Sequence, residues 1–509
     1  MTWLNGLMLA SLLMTGNSEK HPPAVTERTP RLFVSHYENV LGTSLELKVL
    51  TPSEKNASVA ETAALNEIAR LGKILSGYDS SSEFRHWLST SGQAVKVSPE
   101  LFEVLSLFDQ WRTRSGGALD ASAEVITKLW KQAAIRQRVP SQEELAAAVA
   151  EVRQPHWQLD PVTHTATHLD QAPLMLNSFA KSYIIKRATD AAMASANVRA
   201  VVVNIGGDLV VSGALQEAVQ ISDPKADAEN DAPMDRLLIR NRAVATSGNY
   251  RRGELIDGHW YSHIVDPRTG QPADAVISAT VVAPGATDAG ALATAFNVLS
   301  PAESIKLAAG SPGVEYLIIT RSGERYSSPG WHILQAPLPP QPAPSHAANP
   351  ATTTSEDDFE LVVNLEIKFQ SVGFTKRPYV AVWVEDENYA AVKTIAVWHG
   401  NDRYLPELKF WYLKYRGLYD TDKLALNTVS SATRSPGKYT MKWDGKDDQG
   451  NPVKPGTYTI IIEAAREHGT YRLMRQELLW NRTPQHFDLP GNVEIASASL
   501  DYRKKAVGN

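Results

Sequence analysis

A proline-rich stretch near the middle of the chain divides it into two parts that must fold separately. Its six prolines are followed by a polar run, Thr352–Asp358, and they stand at positions 337, 339, 340, 342, 344 and 350. Proline removes backbone donors and keeps the chain extended, while the polar run has too little apolar surface to form a core. The pattern predicts a linker over residues 336–358. It separates a domain over 31–335, preceded by a lead at 1–30, from a second domain over 359–509.

Composition favours a folded protein and disfavours a nucleic-acid binder. The 509 residues are 43% hydrophobic and 21% charged, which is near the globular norm. The formal net charge of −5 provides no basic field for a polyphosphate backbone, and no Lys/Arg-rich run supplies one locally. Because the chain has no cysteine, disulfides, thiolate metal sites and cysteine nucleophiles are excluded.

The N-terminus carries a short apolar run that favours export. Leu4–Met14 is well short of the ~20 residues that span a bilayer, and its length is typical of a signal peptide. No Lys or Arg precedes it, no Ala-x-Ala site closes it, and Asn17 stands where a lipoprotein signal would have its lipidated cysteine. We expect a periplasmic protein without a lipid anchor; the alternative is an apolar N-terminus with no targeting role.

Before the linker, strand-like and helix-like patterns alternate, which predicts an α+β domain. His36–Leu50 alternates apolar and polar residues as a strand does, and Ala60–Leu75 repeats at helical spacing. A second helix is expected at Pro99–Trp111, with Ser98 as N-cap. A third, Phe179–Ala194, leads into the apolar run at 200–203, which is typical of a buried strand.

After the linker, short β-branched and aromatic runs predict an all-β, immunoglobulin-like sandwich. The runs are Phe359–Lys368, Tyr379–Glu385, Thr394–Trp398, Lys438–Trp443 and Tyr458–Ala464. The acidic turn Asp447–Pro452 fits a solvated hairpin tip better than a calcium site. We interpret Trp383, Trp398, Trp411 and Tyr412 as core or sheet-face aromatics, with a protein-contact surface as the alternative.

One histidine and one glycine cluster suggest chemistry in the first domain. His263 precedes the turn Asp266–Gly270, which would hold it in place, and its ordinary pKa near 6.5 suits proton abstraction from a hydroxyl. A structural histidine that caps the turn is the alternative. Asn204–Asp208 follows a strand, so its two glycines either let the backbone approach a ligand or simply form a tight turn.

Eight blocks in order together resemble the ApbE family of FAD:protein FMN transferases, over about residues 34–334. The most specific blocks are Ala245–Tyr250 and His263–Gly270. The other six are Val40–Thr43, Ser76–Glu83, Ser115–Asp120, Ala180–Tyr183, Asn204–Asp208 and Ala291–Thr294. The C-terminal part resembles a domain of unknown function that is fused to ApbE-like enzymes in the periplasm.

The resemblance implies a T-fold-like α+β domain that binds FAD and esterifies its FMN half to a Thr or Ser of an acceptor protein, with AMP leaving. Mg²⁺ is expected at the pyrophosphate, where it would neutralise charge as the bond breaks. The implied acceptor is a periplasmic or membrane-associated redox protein. The turn at Asp266–Gly270 also resembles an acceptor motif, but the family carries this turn in its own site, so self-modification is disfavoured.

The same resemblance implies roles for individual residues. His263 falls where the family activates the acceptor hydroxyl, and Tyr78 is a stacking surface for flavin or adenine, or else a core aromatic. The positions that match FAD contacts are Leu41, Tyr78, Ala118, Leu119, Asp120 and Lys186. Metal ligation is implied for the Ala180 carbonyl and the Thr294 hydroxyl.

Two departures from the family pattern concern this site. The family's Asp-Leu-Gly-Gly-Ile-Ala-Lys-Gly-Tyr-Ala-Val-Asp is replaced by Met175–Lys186, so that Lys186 stands in place of an aspartate. Gly290 takes the position of a second aspartate, which would share a helical face with Thr294 at i, i+4. Asp288 is rotated about 120° from Thr294, so it replaces that ligand only if the helix begins after it.

These departures leave three functional hypotheses. The first is an FAD:protein FMN transferase, supported by the intact His263 block and by Thr294. The second is a weakened flavin-binding scaffold whose β domain binds partners, which Gly290 and Lys186 favour. The third is hydrolysis of FAD to FMN and AMP, with water as the acceptor at the same site.

Overall fold

The computed structural model describes one folded region up to residue 336 and a second from residue 358. The described residues are 29–226, 231, 233–249, 252–336, 358–368, 377–399, 402–421, 430–431, 434, 436–466 and 470–505. The predicted export signal therefore lies outside the described residues, as does the linker apart from its two ends. In the described ranges no helix combines the length and the hydropathy needed to cross a bilayer.

The first region is built from fifteen strands and nine α-helices among its described residues. The helices are α1 (Glu54–Leu75), α2 (Glu83–Leu88), α3 (Pro99–Arg114), α4 (Glu124–Arg136), α5 (Gln142–Val152), α6 (Ala180–Met193), α7 (Ala286–Val298), α8 (Pro301–Ala309) and α9 (Trp331–Leu334). The strands are β1 (Arg31–Val40), β2 (Thr43–Thr51), β3 (Ala94–Lys96), β4 (Trp157–Asp160), β5 (Thr165–His168), β6 (Ala200–Ile205), β7 (Asp208–Gly213), β8 (Glu217–Ile221), β9 (Asp235–Ile239), β10 (Ala243–Gly248), β11 (Gly253–Ile256), β12 (His259–Ser262), β13 (Val276–Ala283), β14 (Glu315–Thr320) and β15 (Arg325–Ser327).

An antiparallel sheet in the order β1-β2-β6-β7-β10-β13-β14-β15 forms the framework. The apolar sides of α1, α6 and α7 pack on one face of it and make the main core. A smaller cluster covers the other face with the β8–β9 hairpin and α9. All eight residues of β13 are buried because both faces of the sheet are covered there. The mixed helix and sheet content confirms the predicted α+β class.

Local sequence explains most element boundaries, with one difference from the prediction. The Ser98 side chain accepts a hydrogen bond from the Leu101 N–H, which confirms it as the N-cap of α3. The predicted strand at His36–Leu50 is instead the β1–β2 hairpin. Its turn has positive φ at Leu41 (52°) and Gly42 (76°), so the alternating pattern continues through a reversal of the chain.

The C-terminal region packs two sheets against each other. Its strands are β16 (Phe359–Ile367), β17 (Tyr379–Glu385), β18 (Ala391–Trp398), β19 (Ser430–Ser431), β20 (Gly437–Trp443), β21 (Gly456–Ala465), β22 (Tyr471–Trp480), β23 (Gln485–Leu489) and β24 (Ile495–Lys504). One sheet has the order β20-β16-β24-β23 and the other β19-β18-β17-β21-β22. Their facing side chains form one core, so the predicted β architecture is confirmed at this level.

The prediction of a purely β domain missed one helix. Residues Lys409–Thr421 form α10, which covers the outer face of the second sheet together with a 3₁₀ segment at Asp402–Glu407. Trp411 and Tyr415, one turn apart, stack with their rings 5.5 Å apart. The buried Glu463 accepts the backbone N–H groups of Phe410 and Trp411, so a strand residue caps the start of the helix. Tyr412 is partly buried beside the same cluster.

Two further predictions about this region can be compared with its geometry. Trp383, Trp398 and Trp411 are buried, which supports their interpretation as core aromatics. In the acidic turn, Asp447 accepts the N–H groups of Gln449 and Asn451. Its carboxylate is thus used to hold the hairpin tip.

Candidate active site

A cleft of about 2000 Å³ lies against the large sheet. The β6–β7 turn, the start of α6, one side of α7, one side of α4 and the loop after β12 line it. The wall continues into a groove that reaches His399, Arg434 and Tyr439 of the C-terminal region. Segments far apart in the sequence therefore meet at a single cavity.

The β6–β7 turn brings backbone and a buried acid to the floor of the cleft. Gly206 and Gly207 have φ of 59° and 92°, which favours glycine at both positions. Asp208 is 8% exposed, accepts the Thr246 N–H at 3.2 Å and pairs with Lys181 Nζ at 2.8 Å. The hydrogen bond from Thr246 ties β7 to β10, and the ion pair with Lys181 ties β7 to α6. Sequence reasoning assigned no role to Lys181 or Asp208, although both lie inside the matched blocks.

His263 leaves the β11–β12 hairpin and lines the cleft. Its Nδ1 lies 3.0 Å from the Arg252 carbonyl oxygen. Since a carbonyl can only accept, Nδ1 carries the proton and Nε2 keeps a lone pair in the neutral ring. Partial burial of the ring lowers the pKa of His263, and the positive charges of Arg252 and Lys131 lower it further. The histidine is therefore available as a base at neutral pH.

The turn after His263 is held rigidly. Asp266 accepts the Arg268 N–H at 2.9 Å and pairs with the guanidinium of Arg268 at 2.9 Å, while Arg268 also reaches Glu303. Trp130 Nε1 donates to the Gly270 carbonyl at 2.8 Å. Because the Asp266 carboxylate is bonded within its own turn, the turn Asp266–Gly270 holds the loop that carries His263 in place. A turn held in this way is poorly suited to serve as a flexible acceptor of FMN.

Four of the residues expected at FAD line the cleft. Tyr78 is 79% exposed, which excludes a core aromatic, and its hydroxyl accepts a hydrogen bond from Asn177 Nδ2 at 2.6 Å. Ala118, Leu119 and Asp120 form a buried part of the wall. The Asp120 carboxylate is held by Arg112 Nε at 2.9 Å and by the Ser122 N–H.

The other two residues expected at FAD lie elsewhere. Leu41 sits in the β1–β2 turn, where its Cδ2 approaches Gly72 of α1. Lys186 pairs with Asp190 one turn along α6 and is half-buried. Neither lines the cleft, because each belongs to a face that points away from it.

Of the expected metal ligands, Asp288 is not brought to Thr294. Thr294 lines the cleft and donates its hydroxyl hydrogen to the Ser178 carbonyl at 3.1 Å, and Ala180 is the first residue of α6. Asp288 lies inside α7, which begins at Ala286, so the condition for it to reach Thr294 is not met. Its carboxylate lies 3.7 Å from Arg114 Nη1, outside the cleft wall.

The described residues therefore do not fit a magnesium ion held by the protein at this position. The expected donors there are a backbone carbonyl and a hydroxyl, both neutral, whereas magnesium sites use one or two carboxylates besides phosphates and water. Nowhere in the described ranges do three His, Cys, Asp or Glu side chains gather as a metal site.

Sequence reasoning missed a cationic stripe on α4. Thr127, Lys128 and Lys131 line the cleft together with Glu124, at i, i+3, i+4 and i+7 of one helical face. Neither lysine pairs with a carboxylate within the described part of the chain. The spacing of these residues could have indicated the cationic stripe. Without the fold, however, a stripe that lines a cleft looks the same as an ordinary solvent-exposed helix face.

Comparisons with known proteins are consistent with this geometry. Residues 41–318 match the model of the ApbE family, and residues 360–497 match a family described as predicted periplasmic protein (DUF2271). An FAD:protein FMN transferase of Treponema pallidum (strain Nichols) is 31% identical over 310 residues, covering 56% of this chain and 84% of the relative. One from Escherichia coli (strain K12) is 24% identical over 331 residues, covering 63% and 93%.

Two solved structures share the fold of the first region. The ApbE protein of Thermotoga maritima has a TM-score of 0.54 at 26% identity, covering 60% of this chain and all of that chain (100%). The apo form of the flavinyl transferase ApbE of Pseudomonas stutzeri has a TM-score of 0.50 at 25% identity, covering 60% and 96%.

Proposed function

The chain belongs to the ApbE family, and from this we propose that it is an FAD:protein FMN transferase. FAD is the donor substrate, and a Thr or Ser hydroxyl of an acceptor protein receives FMN. The observation that carries the proposal is the hydrogen bond between His263 Nδ1 and the Arg252 carbonyl. It fixes the tautomer in which Nε2 can take a proton at the wall of the cleft.

The reaction balances with this one base. His263 Nε2 takes the proton of the acceptor hydroxyl, whose oxygen attacks the phosphorus of the FMN half of FAD. The bond between this phosphorus and the oxygen that bridges it to the AMP half breaks, and AMP leaves with the bridging oxygen. A phosphoester now joins FMN to the acceptor. Lys128 and Lys131 lie in the same wall and are suited to the charge of the pyrophosphate.

The residues expected at FAD have different parts in this proposal. Tyr78 offers an exposed aromatic face for stacking the flavin or adenine, and Ala118, Leu119 and Asp120 form the adjoining wall. Magnesium remains part of what the family resemblance implies. No step above depends on it, since the protein offers no carboxylate at the expected position.

We assign the catalytic unit to residues 31–335 and the C-terminal β domain to 359–509, joined by the linker at 336–358. Each described hydrophobic cluster lies wholly on one side of that linker, which supports this division. A T-fold-like catalytic unit and an immunoglobulin-like sandwich are the proposed fold types. Work in the periplasm on a membrane-associated redox protein is the proposed setting, and the description of the C-terminal family supports the location.

The test is to incubate the full chain with FAD, magnesium and an acceptor peptide that carries an Asp-x-x-Thr-Gly-Ala motif. We expect covalent in-gel flavin fluorescence on the peptide and one AMP released for each flavin transferred. The control peptide has Ala in place of the acceptor Thr.

The same assay separates the alternatives. Free FMN and AMP without labelled peptide would indicate FAD hydrolysis. FAD binding with neither product would indicate the flavin-binding scaffold, which the missing carboxylate at Gly290 favours.

A further inference from the structure

Helices α6 and α7 touch through Ser182 and Gly290. A Cβ built on Gly290 would overlap Ser182 Oγ and would lie 3.0 Å from Ser182 Cβ and 3.4 Å from Phe179 Cβ. Ser182 is 3% exposed, and its hydroxyl has no hydrogen-bond partner among the described residues. A buried hydroxyl of this kind is costly and calls for an explanation.

The two positions differ from the family pattern in opposite directions. The family has glycine where this chain has Ser182, and aspartate where it has Gly290. A Cβ at 290 forces Ser182 or its helix to shift, so the crossing is least strained when one of the two positions is glycine. Ser182 therefore favours Gly290, and an aspartate at 290 favours a glycine at 182.

This exchange changes the charge of the cleft wall. Gly290 and Thr294 both line the cleft, one helical turn apart, so a carboxylate at 290 would point beside the Thr294 hydroxyl. Without that carboxylate, the remaining expected metal ligands, the Ala180 carbonyl and the Thr294 hydroxyl, are both neutral. The Thr294 hydroxyl already donates a hydrogen bond to the Ser178 carbonyl.

We infer that Ser182 and Gly290 form a reciprocal replacement that has closed the carboxylate position of a cation site. The free protein then holds no divalent cation there, and a cation enters the cleft only on the pyrophosphate of FAD. The second statement rests on the proposed function; the first does not.

The experiment compares the natural chain with Ser182→Gly, Gly290→Asp and the double variant, using Mn²⁺ alone without FAD. Isothermal titration and Mn²⁺ paramagnetic resonance count bound ions. We expect no saturable site in the natural chain or in Ser182→Gly. The double variant should bind one Mn²⁺ saturably, while Gly290→Asp alone should melt at a lower temperature than the double variant. Asp288→Asn in each background controls for the exposed carboxylate on α7.

If Gly290→Asp does not fold, a smaller side chain at position 290 tests the same contact between the two helices. Gly290→Ala should lower the melting temperature, and adding Ser182→Gly should recover it. Equal melting temperatures for Gly290→Ala in the two backgrounds would overturn the reciprocal replacement.

Two other results would contradict the inference about the cation. One is a tight Mn²⁺ site in the natural chain that Ser182→Ala removes, because the hydroxyl would then be a ligand. The other is Mn²⁺ binding to the natural chain that is equal with and without FAD. A natural chain that binds no FAD would refute the proposed function, while the FAD-free comparison would still decide the reciprocal replacement.

Discussion

Replacing His263 by alanine tests the proposed chemistry most directly. The ring is exposed at the cleft, and its one hydrogen bond goes to the Arg252 carbonyl of its own hairpin. Removal therefore leaves the core intact and deletes only the group proposed to take the acceptor proton. Because that proton moves in the transition state, the loss should fall on kcat and leave FAD binding nearly unchanged.

The expected size follows from general base catalysis. A positioned base contributes about 10²–10⁴-fold, so kcat should fall by this factor, which corresponds to roughly 3–5 kcal/mol of barrier. The Kd for FAD should change by less than about threefold, because the proposed role of the His263 ring is confined to the transition state and its removal leaves the core intact.

His259→Ala is the matched control. His259 lies on the same hairpin, is exposed, and makes the same type of bond from Nδ1, to the Asp257 carbonyl at 3.0 Å, but it does not line the cleft. Single-turnover transfer to the acceptor peptide and FAD titration should be measured for both variants. Equal losses in the two variants, or equal losses of affinity and rate in His263→Ala, would make His263 a structural turn residue.

Three further predictions concern the same cleft. The acid limb of the pH–rate profile should lie below that of an ordinary histidine, because the lowered pKa keeps His263 neutral to lower pH. Lys131→Met should raise that pKa and move the acid limb of the pH–rate profile to higher pH; an unmoved limb would exclude His263 as the titrating base. Tyr78→Ala should weaken FAD binding about 5- to 150-fold, because stacking contributes ~1–3 kcal/mol, whereas Tyr389→Ala, at a similarly exposed tyrosine of the C-terminal region, should not. A fragment of residues 29–336 should keep the FAD-dependent rise in melting temperature, and a rise seen only in the full chain would place part of the site in the C-terminal region.

Much of the architecture could be predicted because it depends on local patterns. The N-cap at Ser98 and the apolar strand at 200–203 are set by neighbouring residues, and both were predicted. Helix α10 was missed because its aromatic residues also favour strands, and its start is capped by the distant Glu463. The β1–β2 turn was missed because the alternating pattern does not report a reversal at Leu41 and Gly42.

The candidate site was predicted in part for a similar reason. Tyr78 and His263 could be found because they lie within ordered blocks that carry a resemblance. Leu41 also lies in such a block, and Lys186 stands at a position where the family contacts FAD, yet neither lines the cleft. A motif fixes which residues are close in sequence, while the direction of each side chain depends on how its helix or turn is packed.

The sequence by itself determined the mixed helix and strand content of the first part and the β character of the second, and it carried the resemblance of the first part to flavin transferases. Only the tertiary structure decided which nitrogen of His263 carries the proton, where Asp288 points and why a side chain at position 290 would crowd α6. Each of these depends on a partner from another segment or on where a helix begins: the Arg252 carbonyl, the start of α7 and Ser182. Spacing along the chain does not report such contacts, because packing between elements sets the distance and the room available at each one.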